Sequence, residues 1–208
     1  MIKRLVVVRE RQGKSSLRNV VLDRRDAMDA NRRSALSRFI VQKIVDLNAY
    51  SQSGTIMAYA SFGSELQTDG FLRHVLTEGK TLVLPRVNRA KKRLDLYAVK
   101  DPDLDLELGT WGIREPKPNR CAPVGFDVID FVLVPGVAFD VRGGRLGYGG
   151  GFYDKLYDKL LAGPWGKRPW LVAGAFEVQI VEEIPLDAHD VVVDIIITES
   201  MHYFCEPR

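Results

Sequence analysis

The stretch V-I-D-F-V-L-V-P-G-V-A-F-D-V-R-G-G-R-L-G-Y-G-G-G-F-Y-D, residues 128–154, decides the fold. Val128–Val134 is nearly all apolar, as a central parallel strand covered by helices on both faces would be. Glycines follow at 143, 144, 147, 149, 150 and 151, with Arg142 and Arg145 among them. Beyond them Tyr153, Leu156, Tyr157, Leu160 and Leu161 make one helical face, closed by Gly163 and Pro164. Strand, glycine loop and helix together suit a backbone cradle for an anion. Glycine lets N–H groups turn inward, and the opening turn of the helix adds donors and a positive dipole end. Two common phosphate fingerprints are excluded by spacing. Phe152 stands at the third glycine of G-x-G-x-x-G, and the Walker spacing from Gly144 to Gly149 continues into Gly150 where lysine is required. A glycine-rich turn with no ligand remains the plain alternative.

Outward from this stretch, strands alternate with helices. Thr55–Tyr59 reads as a short buried strand and Thr68 as the N-cap of a helix carrying Phe71, Leu72, Val75 and Leu76. Gly79 closes that helix, and a second strand runs from Thr81 to Leu84, stopping at Pro85. This is a β-α-β unit with a parallel pair. Upstream, Lys14 to about Asn48 reads as two helices breaking near Asp29–Asn31. Downstream, L-D-L-Y-A-V (94–99), Leu171–Ala175 and Val191–Ile197 read as strands, and T-W-G-I-R-E-P-K-P (110–118) as a loop. The expected architecture is one α/β domain over residues 1–208, three-layer α/β/α with a mostly parallel central sheet. Residues 1–12 read as an edge strand or a loosely held extension with no function assigned.

Composition narrows the partners. With 208 residues, 46% hydrophobic, 27% charged and a net charge of +3, the chain is globular, and its slight basicity decides nothing between nucleic acid and anionic metabolites. Cys121 and Cys205 lie far apart, which suggests neither a disulfide framework nor a zinc site. No apolar run reaches a membrane span or a signal peptide, so a cytoplasmic protein without a membrane partner is expected. The basic run R-V-N-R-A-K-K-R (86–93) lacks interleaved aromatics and reads as a solvated face rather than an RNA surface.

Several side chains carry two readings each. Lys14 and Arg18 are four apart on one helical face, either as solvated cations or as a clamp for an anion. Asp154 sits in the first turn of the loop's helix, stabilised by the dipole, and beside phosphates it would suit Mg2+. Asp194 interrupts a Val- and Ile-rich run, so it lies at an exposed strand end or is paired with a cation. Glu65 follows the first strand, where open α/β sheets place ligand contacts, or is a surface charge. Trp111 either stacks on a planar ring or closes a core edge. His74, His189 and His202 form no catalytic or metal spacing.

V-P-G-V-A-F-D…G-G-R-L-G-Y-G-G-G-F-Y-D-K closely resembles the signature of the 5-formyltetrahydrofolate cyclo-ligase (5,10-methenyltetrahydrofolate synthetase) family. The likeness extends to K-S-S-L-R at 14–18, Tyr59 through Glu65, Thr68, L-P-R at 84–86, G-I-R-E-P at 112–116 and V-D at 193–194. It implies a fold similar to the NagB/RpiA/CoA-transferase-like class and an ATP-dependent ligase that closes 5-formyltetrahydrofolate to 5,10-methenyltetrahydrofolate, releasing ADP and phosphate. It further implies Lys14, Arg18, Arg145, Gly147, Tyr148, Gly149, Gly150 and Gly151 around the triphosphate, with Arg145 and Lys14 catalytic. Asp154 and Asp194 would hold Mg2+, Glu65 would contact the pterin, and Trp111 and Tyr153 would line the folate pocket. The expected partners are ATP and 5-formyltetrahydrofolate, with no nucleic acid, acting on a monomer. A non-catalytic folate- or nucleotide-binding regulator on the same scaffold is the alternative; the presence of Lys14, Arg18, Arg145, Asp154 and Asp194 together favours the enzyme.

Overall fold

A computed structural model describes residues 13–163, 167–187 and 190–205, so the expectation for residues 1–12 lies outside the described residues. The chain opens with helices α1 (Lys14–Asp26), α2 (Ala30–Val45) and α3 (Asn48–Ser51). The first break falls where expected because the Asp29 carboxylate accepts the Arg32 N–H and starts α2. Strand β1 (Thr55–Met57), helix α4 (Asp69–Thr77) and strand β2 (Thr81–Asn88) form the β-α-β unit, and β3 (Arg93–Val99) returns antiparallel. Helix α5 (Pro102–Asp105) leads into β4 (Leu106–Leu108), which pairs with β5 (Arg114–Pro116) as a small ribbon, and β6 (Ala122–Pro123) adds to β3. After β7 (Phe131–Leu133), the chain forms the hairpin β8 (Ala138–Asp140) and β9 (Arg145–Leu146), then helix α6 (Phe152–Ala162). Strands β10 (Trp170–Gly174), β11 (Ile180–Val181), β12 (Ile195–Ile197) and β13 (His202–Phe204) complete the described residues.

The main sheet has eight strands in the order β13-β12-β10-β7-β1-β2-β3-β6. The five central strands, β12, β10, β7, β1 and β2, are parallel, and the edges are antiparallel. Alternate residues on each strand point to opposite faces. Ile56, Leu82, Phe131, Val172 and Ile195 pack with α2, α3 and α4, whereas Met57, Val83, Val132, Leu171 and Ile196 pack with α6. This is the three-layer α/β/α arrangement. Helix α1 belongs to neither covering layer: its Val21 packs on Ala138 and Leu146 of the small sheet β11-β8-β9 and on Val137 and Ile184 beside it.

Strand β2 does not stop at Pro85 but runs to Asn88. Leu96, opposite Pro85, turns its carbonyl away to accept the Val124 N–H, so Pro85 and Leu96 are a non-hydrogen-bonded pair. The proline's missing N–H therefore costs no ladder bond. The basic run 86–93 is the end and turn of this hairpin, with Arg86 bonded to Glu107 and Arg93 to Asp95. Thr68 stands at the N-cap of α4 without capping it; its hydroxyl donates to the Tyr59 carbonyl and accepts the Ser61 N–H, fixing the turn after β1. The strand expected over Val191–Ile197 is regular only from Ile195.

Candidate functional site

Chain order reverses across β1: β2 lies on one side, and β7, β10 and β12 lie on the other. Ligands in open α/β sheets bind outside the carboxyl ends of strands at such a point. A cavity of about 640 Å³ opens there. Tyr59, Ala60, Phe62 and Glu65 beyond β1, Pro85 and Val87 of β2, and Pro135 beyond β7 make its floor and walls. Trp111, Ile113, Arg114 and Glu115, with Arg145 and Gly147–Asp154, complete its lining.

The glycine cluster divides in two. Gly143 and Gly144 belong to the β8–β9 turn, which the buried Asp140 carboxylate fixes by accepting the N–H groups of Arg142, Gly144 and Ile184. Arg142 points outward to Glu183. Only Gly147 and Gly149–Gly151, with Tyr148, line the cavity. Gly149 (φ 93°) and Gly151 (φ 65°) adopt the left-handed conformation that side chains resist, which brings the chain into α6 at Phe152.

Cations gather behind this loop. Arg18 Nε donates to the Gly147 carbonyl at 2.8 Å. Arg145, only 8% exposed, pairs with Asp154 of the first turn of α6 and lies over the Tyr157 ring at 5.3 Å. Its Nε is buried with no hydrogen-bond partner among the described residues. Lys14 does not line the cavity. Its ammonium is bonded to Asp187 (2.6 Å) and Asp190 (2.5 Å); burial alone would lower its pKa, but these carboxylates outweigh burial and raise it.

Glu65 is the one expected folate contact that is a buried charge, at 4% exposure. Burial pushes its carboxyl up to about 7 against the pull of the Phe62 N–H, the Tyr148 hydroxyl and Arg25. Trp111 stands over the cavity, 65% exposed, with its ring edge-on to Phe152 at 5.8 Å. Tyr153 lines the wall, and burial holds its hydroxyl well above the usual range.

Asp194 requires a correction. It precedes β12 at the amino end of the sheet, where it accepts from Arg168 (2.7 Å) and from the Leu171 N–H (2.8 Å). The length of the strand, about 10 Å at ~3.3 Å per residue, separates it from the carboxyl-end cavity. Oxygens sharing one Mg2+ lie within about 2.1 Å of the ion, so Asp194 and Asp154 cannot hold the same metal. Among the described residues no cluster of three or more His, Cys, Asp or Glu could hold a metal alone. Asp154 on the cavity rim suits a magnesium ion that takes its other oxygens from phosphate and water.

Two buried charges near the site carry no role in the sequence reading. Arg25, 3% exposed, donates to the Ser64 hydroxyl at 2.9 Å and the Tyr148 hydroxyl at 2.7 Å. Its spacing does carry a signal: Lys14, Arg18, Val21 and Arg25 fall within about 60° on one helical face at ~100° per residue. Glu115, also buried, accepts the Val87 N–H at 3.3 Å; it lies in the G-I-R-E-P segment, which marks its position but assigns it no role.

Comparisons with known proteins give the family. The profile of the 5-formyltetrahydrofolate cyclo-ligase family matches residues 10–199. The chain is 29% identical over 200 residues to the mouse protein named 5-formyltetrahydrofolate cyclo-ligase, covering 94% of this chain and 98% of that one. It is 30% identical over 198 residues to the protein of that name from Saccharomyces cerevisiae, covering 86% and 92%. The solved structure of 5,10-methenyltetrahydrofolate synthetase from Aquifex aeolicus superposes with a TM-score of 0.80 at 32% identity, covering 94% of each chain.

Proposed function

The chain belongs to the 5-formyltetrahydrofolate cyclo-ligase family and catalyses the ATP-dependent cyclisation of 5-formyltetrahydrofolate to 5,10-methenyltetrahydrofolate; from that premise we propose how its own residues divide the work. The observation that carries the assignment is the buried Arg145 paired with Asp154 beside the glycine loop, with the buried carboxylate of Glu65 lining the same cavity. The first group suits phosphates and the second suits the donor edge of a pterin.

The formyl oxygen is a poor leaving group, so it must first be converted into a phosphate ester. The formyl oxygen attacks the γ-phosphorus of ATP and ADP leaves, giving an iminophosphate. N10 then attacks the formyl carbon, phosphate departs with the C–O bond electrons, and N10 loses its proton. Phosphoryl transfer asks the protein for positioning and for stabilisation of charge. The N–H groups around Gly149–Gly151 and the opening turn of α6 face the triphosphate, Arg18 holds the loop from behind, and Arg145 meets the charge that develops on the transferring group. Lys14 exchanges Asp187 and Asp190 for phosphate, an exchange of partly exposed ion pairs that costs about 1 kcal/mol or less. Asp154 would hold Mg2+, which neutralises phosphate charge when bound.

Glu65 accepts from the pterin ring donors, while Trp111 and Tyr153 flank the flat ring system. In this reading the chain acts as a monomer in the cytoplasm, where its two free thiols stay reduced. The deciding assay mixes purified protein with Mg2+, ATP and 5-formyltetrahydrofolate. Methenyl absorbance in the near ultraviolet is expected to grow only with all three present, and growth independent of ATP would overturn the mechanism.

A further inference from the structure

Arg25 is a buried cation whose direct partners are two hydroxyls, and each hydroxyl continues to a carboxylate. Ser64 donates onward to Asp26, and the Tyr148 hydroxyl faces the Glu65 carboxyl and favours its ionised form. A guanidinium this deep in the protein must be matched by acceptors, yet two neutral hydroxyls match only its donors and leave its charge to the carboxylates behind them. Tyr148 is itself part of the glycine loop, and its ring rests on Phe62 at 5.2 Å, three residues before Glu65. The same face of α1 carries Arg18, bonded to the carbonyl of Gly147 at the start of that loop. One helix therefore grips the loop at its backbone and at its aromatic side chain.

We propose that Arg25 is a positioning residue for the ligation: through the Tyr148 hydroxyl it holds Glu65 as an ionised acceptor for the pterin and ties that acceptor to the loop that receives ATP. The inference rests on the reading of Glu65 as the pterin contact. The groups facing Glu65 are Arg25 from α1, Tyr148 from the loop, Tyr59 beyond β1, Tyr153 from α6 and the Phe62 N–H of its own turn. Of these, Arg25 alone is cationic. Burial raises the Glu65 carboxyl to about 7, so its ionisation falls within the working range and depends on what opposes burial.

The test is the pH dependence of kcat/KM for 5-formyltetrahydrofolate at saturating Mg2+ and ATP, from about pH 5.5 to about pH 9. The wild type is expected to lose activity below an acid limb near pH 7. Arg25→Gln removes the one positive charge among the groups that oppose burial, so the limb moves upward by less than about one unit, with kcat/KM about two- to threefold lower on the acid side and recovery toward alkaline pH. The loss falls mainly on KM for the folate. Tyr148→Phe keeps the ring, removes the bridge and moves the limb in the same direction; it carries the test if Arg25→Gln does not fold. A uniform loss at every pH in these variants, with the limb in place, overturns the inference and leaves Arg25 a purely structural cation. Glu65→Gln separates the two readings: it is expected to abolish the limb, and a limb that survives in it removes Glu65 as the pterin acceptor and the role of Arg25 with it.

Discussion

Glu65 also makes a prediction about folding, because its ionisation is opposed by burial whether or not substrate is present. Its carboxyl rises from 4.5 to about 7, so between those values the folded chain keeps a proton that the unfolded chain has lost. Stability contributed by this preference is full below about pH 4.5 and is lost as pH rises through about 7. Glu65→Gln should therefore match the wild type in urea unfolding at the acid end and exceed it above neutrality, by up to about 3 kcal/mol. Parallel stability curves would mean that the carboxyl is not desolvated in the folded protein. Arg145→Ala addresses chemistry instead. With the cation gone, kcat should fall on the order of 10²- to 10³-fold while the far-ultraviolet circular dichroism is kept, and near-normal turnover would remove Arg145 from the phosphate site. Of these two residues, Arg145 was legible from its place among glycines, while the burial of Glu65 was not, since nothing in S-F-G-S-E fixes which way that side chain turns.

Among the elements, the glycine loop and strand β10 show what a glycine does in two settings. Gly149 has φ 93°, and a methyl group there would stand 3.3 Å from the Arg18 guanidinium. Gly149→Ala should cost about 1 kcal/mol, a melting shift of only about 2–4 °C, and raise KM for ATP several-fold. Gly174 ends β10 beneath the helices, where an added methyl would meet Leu66 at 2.6 Å and Ile44 at 3.0 Å. Gly174→Ala should destabilise the fold by about 1–3 kcal/mol through overpacking, with KM values retained by the folded fraction. Equal effects on melting and on KM in the two variants would show that this division is wrong. Strand β2 illustrates the limit of local reading: a proline breaks a ladder only where its N–H is needed, and that depends on the partner strand.

At the scale of the whole molecule, the two ends of the sheet do different work. The amino end is tied by Asp130 with Lys167 and by Asp194 with Arg168, and the carboxyl end holds the cavity. Asp194→Asn should lower the melting temperature, since it weakens a charge-assisted bond worth about 1.5–3 kcal/mol, and leave the Mg2+ titration of activity unchanged. Asp154→Asn should shift that titration to higher Mg2+ and, by taking the carboxylate from the buried Arg145, lower the melting temperature as well; a titration moved by Asp194→Asn and not by Asp154→Asn would restore Asp194 to the metal. The sequence by itself determined the layers, the parallel core, the glycine loop and the family, because period, glycine placement and motif order are local properties that the chain carries without its partners. Only the tertiary structure decided which charges meet. Asp154 and Asp194 look alike on paper, both acidic and both beside apolar runs, but strand direction sends one to the cavity and the other to the opposite edge. Arg25 and Glu65 are 40 residues apart in the chain and interact only because α1 lies across the loop that Tyr148 closes.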